Sequence, residues 1–161
     1  MLKVTVDTNL LPIDDLVASV PSDEFEFAVV SVTDREVEGS VGLAPSAGTS
    51  RLSETAVWGE SRWGQAVWGG ASDANCLERA LSIISNGSFP PSTQRGSLSE
   101  GELRQLRDAM ILCTHVREKR SVFLTGDERA FVKHDRRTKL EELFGTRILT
   151  KDEFLLRYGK K

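Results

Sequence analysis

Leu2, Val4 and Val6 alternate with polar positions at the start of the chain, and Asp7 follows them. That pattern predicts a short buried strand ending in a carboxylate. Leu10 to Val17 carries a short helical pattern, with Pro12 tolerable in its first turn. Phe25-Glu26-Phe27-Ala28-Val29-Val30-Ser31-Val32 predicts a second strand. Thr33 then reads as a helix cap with Glu36 closing a capping box, and Gly39 and Gly42 interrupt that helix early. Ser72 or Asp73 predicts the cap of a helix bearing Leu77, Leu81 and Ile84, which Asn86-Gly87 ends. Ser99 and Glu102 form a second capping box before a helix with Leu103, Leu106, Met110, Cys113 and Val116 on one face. Ser121-Val122-Phe123-Leu124-Thr125 predicts a buried strand beside another acid, Asp127. A helix over Lys139 to Phe144 stops at Gly145, Arg147-Ile148-Leu149 is a last short strand, and Thr150 caps a final helix with Glu153 at the reciprocal position. Strands separated by helices predict an α/β fold with a mainly parallel sheet.

Residues 40–71 lack that regularity. Val57-Trp58-Gly59-Glu60-Ser61, Arg62-Trp63-Gly64-Gln65-Ala66 and Val67-Trp68-Gly69-Gly70-Ala71 are three five-residue near-repeats. A spacing of five puts the tryptophans on no single stripe of a strand or a helix, so an ordered loop or small hairpin is expected.

Length and composition narrow the class. At 161 residues and 17.8 kDa the chain suits one domain over residues 1–161. No stretch approaches the ~18–20 apolar residues of a transmembrane helix, so no membrane association is expected. The N-terminal residues lack a charged-then-apolar stretch with a small-residue cleavage site. Cys76 and Cys113, both in helix-like apolar patterns, have no CxxC spacing and no nearby histidines. That argues against a zinc site and for a reducing, cytoplasmic location.

Charge is uneven. Residues 1–100 hold 6 Lys+Arg against 14 Asp+Glu, a balance of −8, and residues 101–161 hold 15 against 10, a balance of +5. Such asymmetry suits acids for a metal and bases for a polyanion on one surface. Ligands of open α/β sheets bind beyond the carboxyl ends of the strands. Asp7 and Asp127 follow two predicted strands, and Glu36 lies on the turn after a third. Asp108 sits in a helix among Leu106, Ala109, Ile111 and Leu112, where a carboxylate is costly to bury without a partner. Converging carboxylates repel unless a divalent cation neutralises them, and hard oxygen ligands favour Mg²⁺ or Mn²⁺. Each acid also has a plainer reading: a turn residue at Asp7, the capping box at Glu36, a surface pair with Arg104 at Asp108, a cap at Asp127.

Two further groups suit a nucleic acid. The basic run Phe131 to Lys139, with Lys133, Arg136 and Arg137, would track phosphates or else be a solvated helix face. Trp58, Trp63 and Trp68 would stack on unpaired bases, or else pack their loop on the body or on a second subunit.

Five segments together resemble one family. Val4-Thr5-Val6-Asp7-Thr8-Asn9-Leu10-Leu11 resembles the opening strand of PIN-domain nucleases, and Ser31-Val32-Thr33-Asp34-Arg35-Glu36 resembles their second acidic segment. Asp108-Ala109-Met110-Ile111 resembles the third, and Phe123-Leu124-Thr125-Gly126-Asp127-Glu128-Arg129-Ala130-Phe131 the fourth. Gly145 to Leu155 resembles the terminal strand and helix. The stretch between Glu36 and Asp108 lies outside the resemblance, and Asp108 stands further into its helix than is usual in the family. The resemblance implies a PIN-like three-layer α/β/α sandwich and a metal-dependent endoribonuclease similar to the toxins of bacterial toxin–antitoxin pairs. It implies one or two Mg²⁺ or Mn²⁺ ions held by Asp7, Glu36, Asp108 and Asp127, activating a water. Asn9 and Thr125 would orient the carboxylates, and Lys133, Arg136, Arg137 and Trp63 would contact RNA. An antitoxin protein and a homodimer are the partners it implies. Two alternatives stay open: a DNA or structure-specific nuclease of the same fold, and a non-catalytic RNA- or protein-binding module.

Overall fold

Side chains alternate along each strand, so a central sheet buries two opposite faces. The computed structural model describes residues 1–36, 38, 49–57, 59–62 and 64–160. In chain order they form β1 (Leu2–Val6), α1 (Asp14–Ala18), β2 (Phe25–Val30), α2 (Val32–Glu36), β3 (Ser50–Leu52), β4 (Glu54–Thr55), β5 (Ala66–Val67), α3 (Ala71–Ile84) and α4 (Glu100–Arg117). Then come β6 (Val122–Leu124), α5 (Glu128–Phe131), α6 (Arg136–Phe144), β7 (Arg147–Leu149) and α7 (Lys151–Tyr158).

The main sheet has the order β3-β2-β1-β6-β7, and every neighbouring pair is parallel. On one face Val4, Val6, Phe25, Phe27, Val29, Val122, Leu124 and Leu149 pack with Leu16 of α1 and Phe154 of α7. On the other, Val30, Phe123 and Ile148 pack with Ala80, Leu81 and Ile84 of α3, Leu106 and Ala109 to Cys113 of α4, Phe131 and Leu140. This is a three-layer α/β/α sandwich, the α/β class that the alternation of strands and helices predicts. The chain builds outward from β1 to β2 and β3 on one side, then to β6 and β7 on the other. The order therefore reverses between β1 and β6, the place beyond whose carboxyl ends open α/β sheets bind their ligands.

The capping boxes at Ser99/Glu102 and Thr150/Glu153 form as expected, and Gly145 ends α6 in the left-handed conformation at φ 63°. Several boundaries differ from the sequence pattern. No continuous helix covers Leu10 to Val17. Thr8–Leu10 is a 3-10 turn, Leu11 is extended as the residue before Pro12, and α1 starts only at Asp14. β2 stops at Val30, and α2 begins at Val32, so Thr33 lies within the helix rather than capping it. α3 opens after Gly70, whose amide donates to the Asp73 carboxylate at 2.8 Å. Asp73 is thus in the first turn of α3, not its cap. α6 begins at Arg136, three residues before the expected Lys139.

The segment 40–71, read as a loop or hairpin, adds β3 to the sheet edge beside β2 and forms the pair β4–β5. That pair is parallel, so it is not a hairpin. Trp58 and Trp63 lie outside the described residues; Trp68 is 82% exposed. Among the described residues no helix is long and apolar enough to cross a membrane.

Candidate active site

β1 delivers Asp7 to the strand-order reversal, where it is 2% exposed. The Thr8 amide donates to its Oδ1 at 2.8 Å. Its Oδ2 accepts from Asn9 Nδ2 at 3.0 Å and from Thr125 Oγ1 at 2.7 Å. Thr125 follows β6, so this bond ties the ends of the two strands that flank the reversal. Asn9 also accepts from the Gly126 amide at 2.8 Å. A Cβ at Gly126 would stand 3.1 Å from Leu10 and 3.2 Å from Asn9 Oδ1, so the close approach suits glycine. The Asp127 amide donates to Thr125 Oγ1 at 2.9 Å, and Asp127 Oδ1 caps α5 by accepting from the Ala130 amide at 2.9 Å.

α2 brings Glu36 from the β2 side. The Thr8 hydroxyl donates to Glu36 Oε2, and Thr33 Oγ1 lies 3.0 Å from Thr8 Oγ1. A hydroxyl has one proton, so with Thr8 donating to Glu36, Thr33 donates to Thr8. Glu36 therefore faces the residue next to Asp7. Glu38 is exposed and pairs with Arg62 at 2.6 Å, which takes it away from this group. α4 supplies Asp108, which is 8% exposed. Arg104, one turn earlier, makes no ion pair with it, so the surface salt bridge considered for this pair does not form.

Burial pushes the Asp7 carboxyl up to about 7, opposed by the Thr125 hydroxyl and reinforced by the charges of Glu36 and Asp127. Burial likewise raises Asp108 well above the usual carboxylate range, with Asp7, Asp127 and Glu36 adding to the rise and Arg104 opposing it. All four acids thus lie within electrostatic reach of one another. Their chemistry, oxygen donors with mutually repelling charge, fits a hard divalent cation. Their placement is looser: among the described residues no three His, Cys, Asp or Glu side chains are gathered closely enough to hold an ion. Ligation by three of them requires side-chain rotation, with Glu36 releasing the Thr8 hydroxyl or Asp127 the Ala130 amide.

Asp108 and Asp127 open onto a cleft of about 580 Å³ that is also lined by Arg104, Arg129, Arg136 and the serines Ser85, Ser88 and Ser99. Arg104 and Arg129 are exposed and form no ion pair among the described residues. The basic run divides here. Arg136 donates to the Ile83 and Arg129 carbonyls and lines the cleft. Arg137 instead pairs with Glu153 of α7 at 2.8 Å, and Lys133 is exposed without lining the cleft. His134 and Asp135, both left-handed at φ 56° and 60°, separate Lys133 from α6, while Arg136 and Arg137 are successive residues of α6 and so point in different directions. A single helix face over Phe131 to Lys139 therefore does not exist.

Sequence reasoning missed Thr8, Thr33, Arg104 and Arg129. Thr8 had a signal, a hydroxyl directly after a strand-end acid; the two arginines sit outside the basic run and had none. No protein-family model matches the chain, and no curated protein matches it.

Proposed function

We propose that the chain is a metal-dependent endoribonuclease of the PIN-domain type. The observation that carries the reading is a group of four mutually repelling carboxylates near the strand-order reversal, two of which, Asp108 and Asp127, line a cleft with three arginines. Acids alone would suit many cations, and arginines alone many anions. Side by side they suit a phosphodiester, whose bridging phosphate faces a cation while its neighbours in the strand lie on guanidinium groups.

Asp7, Glu36, Asp108 and Asp127 would hold Mg²⁺ or Mn²⁺. When bound, such an ion would supply positive charge for the phosphate and a more acidic water. Asn9 and Thr125 fix the Asp7 carboxylate through its Oδ2, leaving little rotational freedom at that ligand. Arg104, Arg129 and Arg136 would position the strand. The choice of RNA, the role of a toxin neutralised by an antitoxin protein, the homodimer and the cytoplasmic location rest on the resemblance of the five sequence segments.

The test is cleavage of labelled RNAs and single-stranded DNAs with Mg²⁺ or Mn²⁺, with EDTA and Asp7→Asn as controls. RNA cleavage that EDTA abolishes, and that Asp7→Asn lowers on the order of 10²–10³-fold, is expected. Cleavage of DNA alone replaces RNA as substrate. Folded protein that neither cleaves nor binds a divalent ion overturns the reading.

A further inference from the structure

α3 and α4 pack side by side, and the cleft lies between the end of α3, at Ile84 and Ser85, and the first half of α4. The opposite end of the pair holds the two cysteines. Cys76 is in the second turn of α3, and Cys113 is near the end of α4. Their Sγ atoms are 2.6 Å apart across 37 positions of sequence, closer than two unbonded sulfurs ordinarily approach and not yet at the ~2.05 Å of a disulfide, and both are free thiols. Cys76 is half-buried and Cys113 is 8% exposed. Cys113 also lines a cavity of about 230 Å³ with Val57, Trp68, Leu77 and Met110.

Disulfide formation demands that two Cβ–Sγ vectors converge, a condition that residue pairs chosen from sequence rarely meet. Sulfurs this close, on two helices packed side by side, have already brought the two side chains together. We propose that Cys76 and Cys113 are a redox-active pair, which closes to an intramolecular disulfide by exchange with a small-molecule disulfide such as oxidised glutathione. Cys76, the more exposed, is the attacking group. The adjacent Cys113 holds its thiol below the ordinary value, and that of Cys113 is itself raised well above it.

In the first step the Cys76 thiolate attacks one sulfur of the small disulfide and displaces a thiolate, leaving Cys76 in a mixed disulfide. Cys113 then gives up its proton to solvent and attacks Cys76 Sγ, displacing the second thiolate. Two protein thiols lose two electrons, and the small disulfide is reduced to two thiols. The product staples α3 to α4 and constrains the unfolded chain. This proposal stands independently of the nuclease reading.

The experiment incubates the full chain with excess oxidised glutathione, then measures thiols under denaturing conditions, intact mass and Tm. The expected result is loss of both thiols, a monomer lighter by two hydrogens, and a Tm raised by about 5 °C or more that dithiothreitol reverses. Cys113→Ser should stop at one glutathionyl adduct on Cys76, and Cys76→Ser should keep its buried thiol unmodified while folded. Wild-type protein that retains both thiols, stops at the glutathionyl adduct or forms a disulfide-linked dimer overturns the proposal.

Discussion

At Asp7 a single carboxylate meets opposing demands. Three donors hold it, while burial and its acidic neighbours push its proton affinity up to about 7 from an ordinary 3.8. A raised carboxyl holds its proton more tightly in the folded chain than in the unfolded one. Its contribution to stability is therefore full below about pH 3.8 and is lost as pH rises through about 7. The amide introduced by Asp7→Asn does not titrate. In EDTA, the fall in unfolding free energy between pH 5 and pH 8 should be smaller in Asp7→Asn than in wild type by about 2–3 kcal/mol. Urea unfolding at the two pH values measures this, and equal slopes would show that Asp7 does not titrate as its burial requires. The acid itself was legible because strand-end position and residue type are both written in sequence. The Thr8–Glu36 bond was not, since the spacing of Thr33 and Glu36 matches a capping box equally well. Only the observed start of α2 at Val32 separates the two.

At the level of elements, short polar signals misled where tertiary contacts decide. β3, Ser50–Leu52, carries no alternation, and its pairing with β2 rather than its own residues makes it a strand. The left-handed residues His134 and Asp135 separate Lys133 from α6, and within α6 the successive Arg136 and Arg137 meet different partners, the cleft wall and Glu153. The consequence is a graded result for phosphate contact. Arg104→Ala and Arg129→Ala should each lower RNA affinity and reduce the slope of log K against log salt by about 0.7, as expected for one lost contact with a single strand. Arg137→Ala should leave that slope unchanged, because its guanidinium is engaged with Glu153. Binding titrations in EDTA at several salt concentrations test the series, and a slope reduced by Arg137→Ala alone would reverse the assignment of the cleft. Arg136→Ala is the less clean variant, since Arg136 also bonds the Ile83 and Arg129 carbonyls and its loss weakens the cleft wall itself.

Across the whole molecule, the parallel sheet and its two covered faces were readable because each strand alternates or runs apolar and each helix has an apolar face. What no local pattern carries is the polar contact through the middle. His115 of α4 is fully buried, with Nδ1 2.9 Å from Thr5 Oγ1 of β1 and Nε2 2.5 Å from Thr146 Oγ1 just before β7. Its role depends on residues 110 and 31 positions away, which no local pattern records. Burial, aided by the charge of Arg120, lowers its proton affinity from 6.5 to about 3. The unfolded chain therefore binds a proton that the folded chain refuses. The stability that the neutral ring contributes is present above about pH 6.5 and is lost as pH falls towards 3. His115→Gln keeps a hydrogen-bonding side chain without that titration. Its unfolding free energy should decline less steeply than wild type between pH 6.5 and pH 4, by up to about 3 kcal/mol. The same variant should also start from a lower stability at pH 7, because the two threonine contacts are remade imperfectly. Urea unfolding across that range separates the two effects, intercept from slope. A wild-type slope in His115→Gln would mean that acid unfolding is governed elsewhere. A flattened one would make the ring that joins α4 to β1 the group through which acid opens the sheet at the strands that carry Asp7 and Asp127.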